Sequence, residues 1–181
     1  MLSGGEKARL VMARMLPMTR VFRHQFARSA HGLYPQDTLQ RITQAIADAE
    51  SKHRGEICFA VESSLPLRAV LAGVDARQRA LDVFAQLRVW NTRANNGVLL
   101  YLLLADHRIE IVADRGLDDL VSAEQWRGVC QLIEEGLQAG EPEAAVLRGI
   151  DAASALLAEH FPRVEGEHDQ DELPNEPHLF D

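Results

Sequence analysis

Asn95–Gly116 reads NNGVLLYLLLADHRIEIVADRG, and this stretch decides the fold. Asn95-Asn96-Gly97 is turn chemistry. Val98–Leu104 carries no polar side chain except Tyr101, so both of its faces are expected to be covered, as in the middle of an α/β sheet. The chain reverses at Ala105-Asp106. Ile109, Ile111 and Ala113 then point one way and Arg108, Glu110 and Val112 the other, which makes the return strand half-exposed and nearer an edge. Antiparallel pairing about this turn sets Asn96 and Gly97 beside Asp114 and Arg115.

The flanking sequence supplies the rest of the sheet and its helices. Residues 56–62 (EICFAVE) read as a buried strand. Before it, a helix beginning near Pro35 places Leu39, Ile42, Ile46 and Ala49 on one face and should stop near Gly55. After it come a turn at Pro66, a short helix over 67–72, and a helix over 76–88 with Asp75 as N-cap and Ala80, Val83, Phe84 and Leu87 inward. Beyond the hairpin, Ser122 and Gln125 form a capping box for a helix reaching about Leu137, with Trp126, Val129, Ile133 and Leu137 buried. Gly140 is a C-cap, and Pro142 opens a last helix that ends near Phe161-Pro162. The order β-α-β-β-α-α predicts helices packed on a small mixed sheet, with a crossover joining strands 56–62 and 98–104 if these are parallel neighbours.

Composition bounds the function. The chain has 181 residues, 46 % of them apolar and 25 % charged, which fits one ordinary globular domain. The net charge of −8 argues against general nucleic-acid binding. That charge is unevenly spread. Residues 1–28 carry Lys7, Arg9, Arg14, Arg20, Arg23 and Arg28 against Glu6 alone, whereas from 163 onward Arg163 faces seven acidic residues. The expected organisation is a basic N-terminal helical arm over 1–34, an α/β domain over 35–162 and an acidic disordered tail over 163–181. A helix is expected over 6–16, ended by Pro17. Cys58 and Cys130 lie in apolar runs and read as reduced core residues. No apolar run is long enough to span a membrane, and Arg9, Arg14 and Arg20 interrupt any secretory core, so the expected location is cytoplasmic.

Two places gather chemistry. At the open end of the hairpin, the amide and carboxylate oxygens of Asn95, Asn96 and Asp114, with Asp118 close behind, suit a hard cation such as calcium. By spacing alone they are also ordinary turns, and they do not follow the EF-hand pattern. At the other end, beyond the carboxyl ends of the parallel strands, stand Glu62, Ser63 and Ser64 with Asp106 and His107. Phosphatase patterns fail: neither cysteine is followed by an arginine six positions on, His24 follows Arg23 but precedes Gln25, and Asp169-Gln170-Asp171 follows no strand.

The N-terminal Leu2–Arg9, LSGGEKAR, resembles the signature motif of ABC-type ATPases. A complete site of that kind needs a Walker A lysine. Lys7 and Lys52 are the only lysines, and neither fits that motif, so no nucleotide is expected. The same arm, with Met12, Met15 and Met18, has the character of a basic amphipathic segment for an anionic membrane or a partner.

Residues from about 35 to 162 resemble the TPM domain, named after a thylakoid lumen protein, a photosystem II repair protein and a worm receptor auxiliary. Gly55-Glu56-Ile57, Phe84-Ala85-Gln86-Leu87, Asn96–Tyr101, Asp106, Arg108–Ile111, Asp114–Leu117 and Trp126 carry the resemblance, and Glu172–Pro177 matches an ELPDxP-like ending. The resemblance implies a three-layer α/β/α sandwich around a small mixed sheet with one central β-hairpin. It also implies a range of roles: weak acid phosphatases, calcium binders, and accessories of membrane complexes or of LemA-like proteins. This sequence is similar to a cytoplasmic bacterial subgroup. It carries Asn95-Asn96 where many relatives have an acidic residue before Asn-Gly. The resulting expectation is an accessory or binding protein with a weak divalent-cation site at Asn95, Asn96, Asp114 and Asp118. It would act with a LemA-like or membrane-complex partner, with peripheral membrane contact through residues 1–28. The alternative is a weak metal-assisted acid phosphatase.

Overall fold

β2 (Gly97–Leu103) is buried at every position because it has neighbours on both edges and a layer of helices on each face. It pairs in parallel with β1 (Glu56–Glu62), from Glu56↔Gly97 to Glu62↔Leu103, and antiparallel with β3 (Arg108–Ala113), from Val98↔Ala113 to Leu103↔Arg108. The order β3-β2-β1-β4 puts β3 on one edge, as its alternation predicts, and β4 (His178–Phe180) on the other. This is a computed structural model, and it describes residues 18–163 and 172–181. The helix expected over 6–16, its stop at Pro17 and the Leu2–Arg9 motif lie outside the described residues, as do Asp169 and Asp171.

The helices follow their start and stop signals. α1 covers residues 18–25, where the described chain begins, and α2 is the single turn Ala30–Leu33. α3 (Gln36–Glu50) starts after Pro35 and ends four residues short of Arg54, earlier than the glycine stop expected at Gly55. α4 (Leu67–Leu71) and α5 (Ala76–Gln86) form the crossover between β1 and β2, and the Asp75 carboxylate caps α5 by accepting from Gln78 N at 2.8 Å. α6 (Ala123–Gln138) opens on the expected capping box of Ser122 and Gln125. α7 (Pro142–His160) has proline in its first turn, and Gly140 precedes it at φ +78°, in the left-handed region that favours glycine.

Strand alternation divides the side chains between two cores. Ile57, Phe59, Val61, Val98, Leu100, Leu102, Ile109 and Ile111 face α3, α6 and α7. Cys58, Ala60, Leu99, Tyr101, Leu103 and Val112 face the other way, against Val70 of α4 and Ala76, Ala80 and Val83 of α5. The result is a three-layer α/β/α sandwich around a mixed sheet. Among the described residues, no helix is long and apolar enough to cross a membrane.

The two stretches flanking the expected domain, tail and arm, pack on this sandwich. The tail read as disordered from 163 ends in β4, which pairs in parallel with β1 from Ala60↔His178 to Glu62↔Phe180. Its charge density misleads the reading, because Glu172 and Asp181 of the described tail are each engaged by the domain. Glu172 Oε1 lies 3.5 Å from Arg93 Nε, and the Asp181 carboxylate accepts from Ala30 N at 3.0 Å and from the Ser63 hydroxyl. Leu173 is buried in the second core, and Leu179 and Phe180 pack against the first and second cores respectively. At the other terminus, residues 18–34 lie against the domain: Ala30 and Tyr34 belong to the first core, and Val21 packs on the second.

Candidate functional site

The hairpin separates two clusters of polar residues by the length of β2. At its open end the ladder continues one step past the strands, with Asp114 N donating to Gly97 O at 2.9 Å. Asp114 therefore stands opposite the residue that follows Asn96. The loop is drawn tight from below: Asn96 N donates to Thr92 Oγ1 at 3.0 Å, and Gly116 N donates to Asn95 O at 2.9 Å. Asn95 itself has φ +52°. A Cβ on Gly116 would sit 2.5 Å from both Ala94 O and Asn95 O, and a Cβ on Gly97 would run into the Val89 carbonyl oxygen. Both glycines are thus required by close backbone approach.

Asn96 is 1 % exposed and its amide is oriented by its donor side, since Nδ2 donates to Arg54 O at 2.7 Å. Its Oδ1 is then left buried with no hydrogen-bond partner. Asp114 repeats the pattern. One carboxylate oxygen accepts from Arg115 N at 2.8 Å, capping the 3₁₀ turn Arg115–Leu117, and Oδ2 is buried with no partner. Buried polar oxygens without partners are uncommon, because each forfeits its hydration.

The structure treats the four expected ligands differently. Asn96 and Asp114 come to the same end of the hairpin, each with an orphaned oxygen. Asn95 does not offer its side chain inward, since Oδ1 accepts from Arg115 Nε at 3.1 Å. Asp118 is exposed at the C-cap of the 3₁₀ turn. Among the described residues no group of three or more His, Cys, Asp or Glu side chains is placed to hold a metal. The open end thus holds one carboxylate oxygen and one amide oxygen without partners, fewer than the roughly six to eight oxygens that calcium takes.

At the other end of the hairpin the acidic groups are already engaged. Glu62 Oε2 accepts from Tyr101 OH at 2.6 Å and from Arg79 Nε at 2.8 Å. Burial and the Glu62 hydrogen bond push the Tyr101 hydroxyl well above the usual phenol range. Asp106 is gripped by Arg20, whose Nε and Nη2 both bond it, and Arg23 lies 3.4 Å away. Burial works to raise the Asp106 carboxyl, but the Arg20 guanidinium outweighs it and holds the group below the usual range. His24 Nδ1 accepts from Leu65 N at 2.9 Å, so its ring proton sits on Nε2, 3.2 Å from Asp106 Oδ1. Ser63 faces Asp181, and His107 is exposed. Glu62, Ser63 and Asp106 thus serve as anchors for α5, the tail and α1, and do not form an open site.

Neither cysteine is a ready nucleophile. Burial pushes the Cys58 thiol up to about 12 and the Cys130 thiol up to about 11. Sequence reasoning missed Thr92 and Arg54, which fix the Asn96 loop, and His24, Arg20 and Asp181, which close the opposite end. Thr92 carried a signal, because a threonine four residues before an Asn-Gly turn is placed to bond its backbone. Arg54 contributes a carbonyl, which no side-chain pattern announces.

Comparison with known proteins agrees with this architecture. The family model of the TPM domain matches residues 29–156. The chain is similar to the BA42 protein of the psychrophilic bacterium Bizionia argentinensis, known from an NMR structure. The identity is 33 %, covering 78 % of this chain and 92 % of that one, with a TM-score of 0.69. It is similar in fold to the N-terminal domain of a P. gingivalis protein, at 17 % identity, 77 % and 85 % coverage and a TM-score of 0.60. No curated protein matches.

Proposed function

This chain belongs to the TPM domain family, and from that premise we propose that it is an accessory or binding protein whose hairpin end takes up a divalent cation, calcium foremost. The observation that carries the reading is the pair of buried, unpartnered oxygens, Asn96 Oδ1 and Asp114 Oδ2, at one end of one hairpin. A hard cation reaching either oxygen removes the cost of leaving it dry. With a single carboxylate among the donors, the affinity falls in the weak range, a Kd of about 10⁻⁴–10⁻³ M. A cytoplasmic setting and a LemA-like or membrane-complex component are the location and partner class proposed.

Calcium titration of the wild type and of Asp114→Ala by NMR tests the site. Amide shifts at Asn96, Gly97 and Asp114–Gly116 at millimolar calcium, absent in Asp114→Ala, support it. Unchanged wild-type spectra at that concentration remove it. Aryl-phosphate turnover that requires both the cation and Asp114 would move the reading to the metal-assisted phosphatase.

A further inference from the structure

α1 and α4 lie side by side and run in opposite directions. Arg20 Nη2 donates to Val74 O at 2.7 Å near one end of the pair, and Leu65 N donates to His24 Nδ1 at 2.9 Å near the other. Val21, His24 and Val70 point into the domain. The outward faces are apolar. Met18, Phe22 and Phe26 recur every four residues, so they share one side of the helix, and Phe26 N bonds Phe22 O to carry the last of them onto that side. Phe22 is 58 % exposed and Phe26 78 %. On α4, Leu67 and Leu71 repeat the spacing, with Leu71 64 % exposed. Five of the nine large, exposed apolar side chains among the described residues thus stand on two adjacent helices or, for Phe26, on the turn that ends one of them. A concentration of this kind marks a contact surface rather than ordinary scatter.

The charges around these helices name the contact. Residues 18–28 and 64–74 contain Arg20, Arg23, Arg28 and Arg68 and no Asp or Glu, in a chain whose net charge is −8; Arg20 and Arg23 face Asp106, which leaves Arg28 and Arg68 for the contact. Arg28 and Arg68 are exposed. Aromatic and aliphatic side chains flanked by arginines, on helices that rest against a folded domain, match the boundary of an anionic bilayer. There the rings sit at headgroup level and the guanidinium groups meet phosphate. The sequence just before α1 continues the same chemistry, with Lys7, Arg9 and Arg14 against Glu6 and with Met12 and Met15.

We propose that the α1–α4 face is a membrane-docking surface that lays the domain on an anionic lipid bilayer through Met18, Phe22, Phe26, Leu67 and Leu71, with Arg28 and Arg68 against the headgroups. This surface is separate from the cation loop at Asn96 and Asp114, so docking requires no calcium.

Co-sedimentation of the full chain with vesicles, in the presence of a chelator, tests the surface. The wild type is expected to pellet with mixed phosphatidylcholine–phosphatidylglycerol vesicles and not with phosphatidylcholine alone, and added salt should release it. Phe22→Ser with Phe26→Ser should abolish pelleting. Arg28→Gln and Arg68→Gln should each weaken it about fivefold. All four side chains are exposed, and matching circular dichroism melts confirm that the variants fold. The proposal is overturned if the wild type stays in solution with anionic vesicles, or if Phe22→Ser with Phe26→Ser pellets as the wild type does. A wild-type dimer that the phenylalanine variant converts to a monomer, without vesicle binding, also overturns it and makes the face a protein interface.

Discussion

Arg20 Nη2 lies 2.7 Å from Asp106 Oδ2, an ion pair that joins α1 to the closed end of the β2–β3 hairpin across 86 positions of sequence. The two side chains are 18 % and 10 % exposed, so water screens the pair only in part. Asp106→Ala leaves the guanidinium in this setting with only the Val74 carbonyl. The expected loss is about 2–3 kcal/mol of unfolding free energy, typical of removing a charged hydrogen-bond partner. Denaturant unfolding with an unchanged m-value measures it. A loss below a few tenths would mean that α1 is held by apolar contacts alone.

Acid should weaken the same end of the molecule in two steps. Burial lowers the His24 pKa from 6.5, against the opposing pull of Asp106. A lowered histidine means that the unfolded chain binds the proton more readily, so stability is full above about pH 6.5 and declines as pH falls below it. For Asp106 and Asp181 the folded carboxyls lie below their ordinary value of 3.8, Asp181 at about 2 through its Ser63 hydrogen bond. Their contribution is present above 3.8 and is lost as pH falls from there. Asp181 contributes little because its side chain is 43 % exposed. A thermal-melt series between pH 8 and pH 3 should show both declines, and His24→Gln should flatten only the first.

The tail should act as a structural strand. Deleting residues 172–181 removes the β4 pairing, uncovers the edge of β1, and leaves the Glu56 carboxylate without the donors from Glu172 N and Leu173 N, each at 3.3 Å. An unprotected, apolar edge strand invites pairing with another chain. The truncated protein is expected to melt lower and to form larger species in size-exclusion chromatography. A truncation that stays monomeric with an unchanged melt would show that β4 is dispensable.

Arg115 competes with the proposed cation. Its Nε bonds Asn95 Oδ1, so the guanidinium both occupies a potential ligand and repels positive charge. Arg115→Gln should tighten calcium binding severalfold in calorimetry by relieving that repulsion. Gly116→Ala should abolish binding, because its Cβ would press on the Ala94 and Asn95 carbonyls and displace the loop. Equal affinities in all three proteins would place any bound calcium elsewhere.

Both thiols should resist modification while the fold is intact. Cys58 is buried, and its thiol is held up at about 12. At pH 8 neither cysteine is expected to react with an aromatic disulfide reagent until denaturant is added, as absorbance would report. Rapid reaction at Cys58 in the native protein would contradict its packing.

The hairpin, the caps at Asp75, Ser122 and Gly140 and the covering of both faces of β2 were all legible in the sequence, and the parallel β1–β2 pair was legible as a condition of the crossover. Each depends on a period of two or of 3.6 residues, or on turn chemistry within four positions. The position of Asn96 and Asp114 at one hairpin end followed from register alone. Their orphaned oxygens did not, because those depend on where the Arg54 carbonyl and the Arg115 amide lie. The acidic tail misled because charge density predicts solvation only when the charges have no partners, and Glu172 and Asp181 have them. Arg93, Ser63 and the Ala30 amide supply those partners from distant parts of the chain.

The sequence by itself therefore determined helices on a small mixed sheet and the hairpin at its centre, since alternation and capping are set by neighbours along the chain, while the three-layer sandwich came from the family resemblance. Only the tertiary structure decided that β4 closes the β1 edge, that Arg20 and His24 seal the loop around Asp106, and that five apolar side chains are left facing outward on α1 and α4. Each of these depends on which groups meet once the chain has closed on itself, and a buried hydrogen bond or ion pair leaves no local pattern to read.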